Sequence, residues 1–394
     1  MKKKFACLAM AMVMVLSLAA CGGKKEEAPA AAPAESGSDS SVSVFKVGTI
    51  GPLSGDAAIY GQAVANGAKI AVDEINAAGG AIQFELQSQD DEADGEKSVN
   101  AYNTLMDWGM QVMVGPTTTG ASIAVSAQAN ADRTFMLTPS ASSVDVIDGK
   151  DNVFQVCFTD PNQGVASADY ISANMAGAKV AVIYRNDDAY SQGIRDTFVS
   201  EAADKGLEVV YEGTFTADTA TDFSVQLTGA QSAGADTVFL PIYYQPASVI
   251  LSQANAMGYE PTFFGVDGMD GILTMEGFDT SLAEGVMLLT PFSADAEDAR
   301  TQTFVKAYQD QFGETPNQFA ADAYDAVYIY AAALEAAGCT ADMSSADICE
   351  ALVGVMTTIS VDGLTGQGMT WDASGAVSKA PMAVIIENGT YVLP

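Results

Sequence analysis

Hydroxyls, a carboxylate and a set of tyrosines gather in four places along this chain. The segment GPTTTGAS (115–122) carries threonines just before a helical stretch, and TPSASS (138–143) places more hydroxyls after an apolar run. PIYY (241–244) and GVDG (265–268) together supply rings and Asp267, while GPLSGDAAIYGQ (51–62) supplies Tyr60. Hydroxyls beside the free N–H groups of a helix start can receive a carboxylate, and an acid among aromatic rings can receive an ammonium with an apolar group beside it. A free α-amino acid needs that complement. Each piece also has a plainer use: Ser and Thr before a helix are common N-caps, Asp between glycines is a common turn residue, and Tyr60, Tyr190 and Tyr243 can be half-buried packing.

Catalytic chemistry has little to work with. Histidine is absent from all 394 positions, which removes the usual general base, triad partner and zinc ligand. GPLSGDAAIYG lacks the Gly-Lys-Ser/Thr ending of a phosphate loop and the spacing of a dinucleotide fingerprint. The acidic run DDEADGE (90–96) lacks the register of a calcium loop and reads as a solvated turn. Neither a cofactor nor a metal is expected, and the chain is not expected to be an enzyme.

The loops must be held by a regular frame. Short β-branched runs alternate with amphipathic ones from Val44 onward, the pattern of parallel strands with crossover helices. Strands are predicted at 44–50, 82–89, 111–115 and 134–139, with helices at 61–77, 95–108 and 119–131 between them. A second series begins near Asp160, with strands at 179–187, 206–215, 235–244 and 261–268 and helices at 189–205, 221–233 and 246–257. Helices follow at 296–312, 318–337 and 344–356, and the tail returns to strand in APMAVII and TYVL. The fold class is therefore α/β, with two doubly wound lobes joined by a multi-strand hinge. Lobe 1 is expected over about 44–160 plus 290–370, and lobe 2 over about 161–289 plus 371–394. In such sheets ligands bind at the carboxyl ends of strands, where the loops above fall.

The first residues carry an address. Lys2, Lys3 and Lys4 precede an uncharged run that ends in Leu18-Ala19-Ala20-Cys21, the form of a lipoprotein signal in which Cys21 becomes the lipidated first residue. The run of about 16 residues is shorter than the roughly 20 that span a bilayer, so processing is preferred to an uncleaved anchor. Residues 1–20 then form a signal peptide and 21–43 a flexible tether rich in Ala, Pro, Ser and charge. Without the three leader lysines, 14 basic residues face 50 acidic ones, a formal charge of −36. That surface repels nucleic acid and anionic headgroups; the lipid must hold the membrane. Among the remaining cysteines, Cys157 reads as a small buried apolar residue, and Cys339 and Cys349 are expected to form a local disulfide.

From Phe45 to Leu393 the chain resembles the branched-chain amino acid binding proteins of ABC transporters, the Leu/Ile/Val-binding family of type I periplasmic binding proteins. The carriers are VGTIGPLSGDAAIYGQ, AVDEINAAGG, QDDEAD, VGPTTTGAS, LTPSASS, NDDAYSQG and FFGVDG. The resemblance implies that Thr119, Ser140 and Ser142 hold the ligand carboxylate and part of its ammonium, that Asp267 holds the ammonium, and that Tyr60, Tyr190, Tyr243 and Tyr324 close over the ligand. It departs from the family at Ala93 and Thr118, where the best-known members have a disulfide, at Asp267, where they have the longer Glu, and at Thr117 and Thr118, which make the side-chain pocket more polar. The implied protein is a monomeric, lipid-anchored receptor on the extracytoplasmic face that passes an amino acid to permease subunits. A sensing ectodomain of the same fold is the alternative.

Overall fold

The computed structural model describes residues 42–394; Cys21, the leader and most of the tether lie outside the described residues. The chain opens with β1 (Ser43–Gly51), α1 (Ala58–Ala78), β2 (Ile82–Asp90), α2 (Gly95–Trp108), β3 (Val112–Val114), α3 (Thr119–Asp132), β4 (Phe135–Thr138) and β5 (Val153–Gln155). These strands form a parallel sheet in the order β2-β1-β3-β4-β5. Parallel neighbours need a crossover connection, which the helices between β1 and β4 supply, and covering both faces makes the strands continuous apolar runs rather than alternating ones. VMV of β3 and FMLT of β4 are such runs, buried throughout.

A second sheet follows from α4 (Asp160–Asn174), β6 (Lys179–Arg185), α5 (Ala189–Lys205), β7 (Glu208–Phe215), α6 (Ser224–Ser232), β8 (Thr237–Leu240), α7 (Tyr244–Met257), β9 (Thr262–Gly265) and β10 (Met287–Thr290). The chain then supplies α8 (Ala299–Phe312), α9 (Gln318–Ala337) and α10 (Ser345–Met356), and finishes the second sheet with β11 (Met382–Glu387) and β12 (Thr390–Val392). The order is β12-β11-β10-β9-β8-β6-β7, with β11 antiparallel to both β10 and β12. The expected α/β class with two sheets is therefore present. Three elements had not been expected: α4, β5 and β10. Pro161 and Gly164 obscure α4, yet Pro sits in its first turn, where no N–H is needed. Gly164 is required by packing, since a Cβ there would meet the Ile194 carbonyl oxygen at 2.7 Å. MLLT of β10 is too short to announce itself by period.

The late helices belong with the first sheet. α9 packs along α1, and α10 packs on α9 and β4. Gly67 of α1 permits that approach, because a Cβ would lie 2.0 Å from the Ala320 carbonyl oxygen. The stretch from 371 to 377, expected in the second lobe, lies against β5 of the first: Trp371 Nε1 donates to the Gln155 carbonyl at 2.8 Å, and Gln155 N to the Gly375 carbonyl at 2.9 Å. Immediately beyond it Lys379 is buried, with Nζ 2.7 Å from Asp322 Oδ1 and 2.6 Å from Thr365 Oγ1. This ion pair fastens the last crossing between sheets to α9.

The expected disulfide is not formed. Cys339 and Cys349 are free, buried thiols. Cys339 follows the end of α9, its amide bonded to Leu334, whereas α10 turns Cys349 inward beside Asn152 and Arg133. Each fills a core position, and burial pushes the Cys349 thiol up to about 11. A sequence spacing of ten closes a short loop on paper, but helix rotation decides which way each thiol points. Cys157 is buried, as expected.

Candidate functional site

The carboxyl ends of both sheets face one small cavity, lined by Tyr60, Thr117, Thr118, Thr119, Ser140 and Phe319 from one side and Tyr190, Tyr243, Asp267 and Gly268 from the other. On the first side, the loop after β3 is pinned by its neighbours: Ser122 Oγ and Thr138 Oγ1 each donate to the Pro116 carbonyl at 2.8 Å. Thr117 Oγ1 donates to the Ile50 carbonyl at 3.2 Å, and Ser140 Oγ to the Thr117 carbonyl at 2.7 Å. The hydroxyls of Thr118 and Thr119 are buried with no partner. Thr119 is the first residue of α3, where unpaired amides and the helix dipole favour an anion.

Asp267 governs the other side. It lies in a helical turn just beyond β9, 3% exposed, and no Lys or Arg pairs with it among the described residues. Its Oδ1 accepts from Tyr190 OH at 2.5 Å, and its backbone is held by Gln163 Oε1 at 3.1 Å and by Gln318 Nε2 on its carbonyl at 2.7 Å. Burial pushes the carboxyl up to about 7, against the opposing pull of hydrogen bonding from Tyr190, Gln163 and the Gly268 backbone. Tyr190 OH also accepts from Gly268 N at 2.9 Å. A rigid, desolvated acid with no cation beside it is poised for one brought by a ligand.

The rings join the two sides. Tyr60 OH donates to the Gly268 carbonyl and accepts from Tyr244 N, the latter at 3.2 Å. Its ring lies 4.3 Å from Phe319 and edge-on to Tyr243 at 5.3 Å, centroid to centroid. Loop 51–56 is fixed from β2: Asp90 accepts from Leu53 N at 2.8 Å and Ser54 Oγ at 2.6 Å, which holds its carboxyl below the usual range despite some burial. Asp91 and Asp94 of the same run also serve backbone amides, Asp91 at Ala93 and Asp94 at the start of α2, while Glu92 pairs with Lys97. No cluster of three metal-ligating side chains occurs among the described residues.

Of the residues expected at the site, Tyr60, Thr119, Ser140, Tyr190, Tyr243 and Asp267 meet at the cavity. Ser142 does not line it. It is buried one layer behind, 3.5 Å from Gln163 Nε2, the side chain whose other end holds Asp267. Tyr324 points elsewhere: its hydroxyl donates to Glu74 Oε2 at 2.6 Å, on the side of α9 that packs against α1. Five residues beyond Phe319, it is rotated by roughly 140° around the helix. Phe319, Gln163 and Gln318 had escaped notice. An apolar residue at a helix start looks like core, and the only hint was its place just after the Asn317 cap.

A bilobal α/β molecule with an anion-seeking loop on one lobe and a buried acid on the other is a solute-binding protein that holds its ligand between the lobes. Residues 44–390 match the family model described as periplasmic binding protein, and the chain belongs to that family, in the branch of the Leu/Ile/Val-binding proteins. It is similar to Leu/Ile/Val-binding protein homolog 3 of Brucella melitensis, 32% identical over 318 residues, covering 78% of this chain and 82% of the relative. It is also similar to BraC3 of Rhizobium johnstonii, 31% identical, covering 75% of this chain and 80% of the relative. LivJ from Streptococcus pneumoniae, solved in complex with isoleucine, superposes with a TM-score of 0.78 at 30% identity, covering 89% of this chain and all of LivJ. Proteins of this family are extracytoplasmic substrate receptors of ABC transporters and not enzymes. No helix among the described residues is long and apolar enough to cross a membrane.

Proposed function

We propose that this chain captures a small α-amino acid, branched-chain or closely related, between its lobes and delivers it to an ABC permease. The carrying observation is the buried Asp267, without a cation, across the cavity from the unpartnered Thr118 and Thr119 hydroxyls. In this reading Asp267 takes the ammonium, Thr119 and Ser140 with the start of α3 take the carboxylate, and the rings of Tyr60, Tyr190, Tyr243 and Phe319 enclose the rest. Ligand released from denatured, freshly purified protein should be an amino acid by mass spectrometry, and calorimetric titration should show one site per chain. Heat from sugars or aromatic acids with none from amino acids would overturn the assignment.

The receptor is further proposed to be a monomer tethered by a lipid on Cys21, following a signal peptide of residues 1–20 and a tether of 21–43. Cys21→Ser should release it to the medium or leave it unprocessed; continued acylation would refute the anchor.

A further inference from the structure

Thr118 is a buried group to which no part of the amino acid has yet been assigned. It occupies the N-cap position of α3, yet its side chain caps nothing. Its Oγ1 is shut off from solvent and has no hydrogen-bond partner. The adjacent threonines are accounted for: Thr117 is engaged with the Ile50 carbonyl at 3.2 Å, and Thr119 stands at the helix start where the carboxylate is received. Thr118 and Tyr243 also line the wider chamber at the mouth of the cleft, as well as the inner cavity.

An amino acid has three groups to place around its α-carbon. With the carboxylate at Thr119 and Ser140 and the ammonium at Asp267, the side chain is left the space between the rings of Tyr60, Tyr190, Tyr243 and Phe319, where Thr118 is the polar residue not yet assigned a part of the ligand. A purely aliphatic side chain seated there would keep the Thr118 hydroxyl dry and unpaired, which is unfavourable. We propose that Thr118 is a specificity-determining residue that hydrogen-bonds a hydroxyl on the ligand's β-carbon. The preferred substrates are then β-hydroxy amino acids of the serine and threonine class. The inference rests on the amino-acid reading of the cavity and assigns its substrate preference. A site built around a hydrogen bond rejects the isostere that lacks it far more strongly than an apolar pocket rejects an extra hydroxyl.

Threonine and valine have nearly the same shape and make the test direct. Titration of the whole chain should show threonine binding more tightly than valine by about tenfold or more, equivalent to about 1.4 kcal/mol. Thr118→Val, close in volume, should erase or reverse that ratio, while Thr118→Ser should retain it; circular dichroism checks that both variants fold. Valine equal to or tighter than threonine on the unaltered protein overturns the assignment, as does a ratio unchanged in Thr118→Val. Leucine is titrated alongside. Binding of leucine without threonine overturns the role of Thr118 alone, whereas binding of no amino acid overturns the reading of the cavity as well.

Discussion

Asp267 has two opposite effects, on the ligand-free fold and on binding. Its folded value of about 7 lies above the roughly 3.9 of an unfolded Asp, so the folded chain holds the proton more tightly. The contribution to stability is therefore full below about pH 4 and is lost as pH rises through about 7. An ammonium prefers the ionised form, so affinity should rise with pH through the same value, and binding below it should release a proton. Calorimetry at about pH 6 and 8, in buffers of differing ionisation enthalpy, measures that release. Asp267→Asn should flatten the pH dependence and lower affinity by roughly thirty-fold to several thousand-fold, the about 2–5 kcal/mol of a truncated buried charge pair. The same variant should leave the ligand-free melting temperature unchanged or raised near pH 8. A binding loss accompanied by an equal loss of stability would make Asp267 a structural residue. That Asp267 and the threonine run stand at one cavity was legible in the sequence because both follow apolar runs, and the loops after parallel strands gather at one end of the sheet. Ser142 and Tyr324 were not placed correctly, since which side of a backbone turn or a helix faces a cavity is set by packing that no local pattern reports.

At the level of elements, the last crossing between the sheets depends on the buried pair of Lys379 and Asp322. Burial raises the Asp322 carboxyl and Lys379 draws it back down. Removing one partner strands the other, so Asp322→Asn or Lys379→Met alone should cost about 3–5 kcal/mol in denaturant unfolding, and the double replacement by apolar residues should recover most of it. Equal losses in single and double variants would refute the coupling. Most strands and helices of the first lobe were readable because they lie in longer apolar or amphipathic runs with recognisable ends; β5, three buried residues, was not. α4 and β10 were hidden for different reasons: Pro161 and Gly164 imitate a loop, and four buried residues carry no period. The segment 371–377 is held by a single bridge of its own, Trp371 with Val377, and by two hydrogen bonds to Gln155 of β5, which leave no strand pattern to read.

For the whole molecule, the described state is one in which the lobes touch. Tyr60 of the first lobe is bonded to Gly268 and Tyr244 of the second. Closure around the ligand is the expected motion, with each lobe moving nearly as a rigid body about the crossings. Small-angle scattering should show a smaller radius of gyration with saturating ligand and an unchanged circular dichroism spectrum. Tyr60→Phe, which keeps the ring and removes the bridge, should shift the population towards the open form and weaken binding about tenfold, near the value of one or two buried hydrogen bonds. Identical scattering with and without ligand would contradict the motion.

The interleaving of the lobes also sets the order in which the molecule can be built. α1 must wait for α9, some 250 positions later, before its apolar face is covered, and β10 must wait for β11. Contacts this remote in sequence close slowly, because loop entropy is lost before they repay it. The first lobe cannot complete its core until α9 emerges from synthesis, whereas five of the seven strands of the second sheet precede it. A nascent chain stopped before α9 should thus leave the first lobe, the earlier in sequence, open to proteases, and its protection should arrive late.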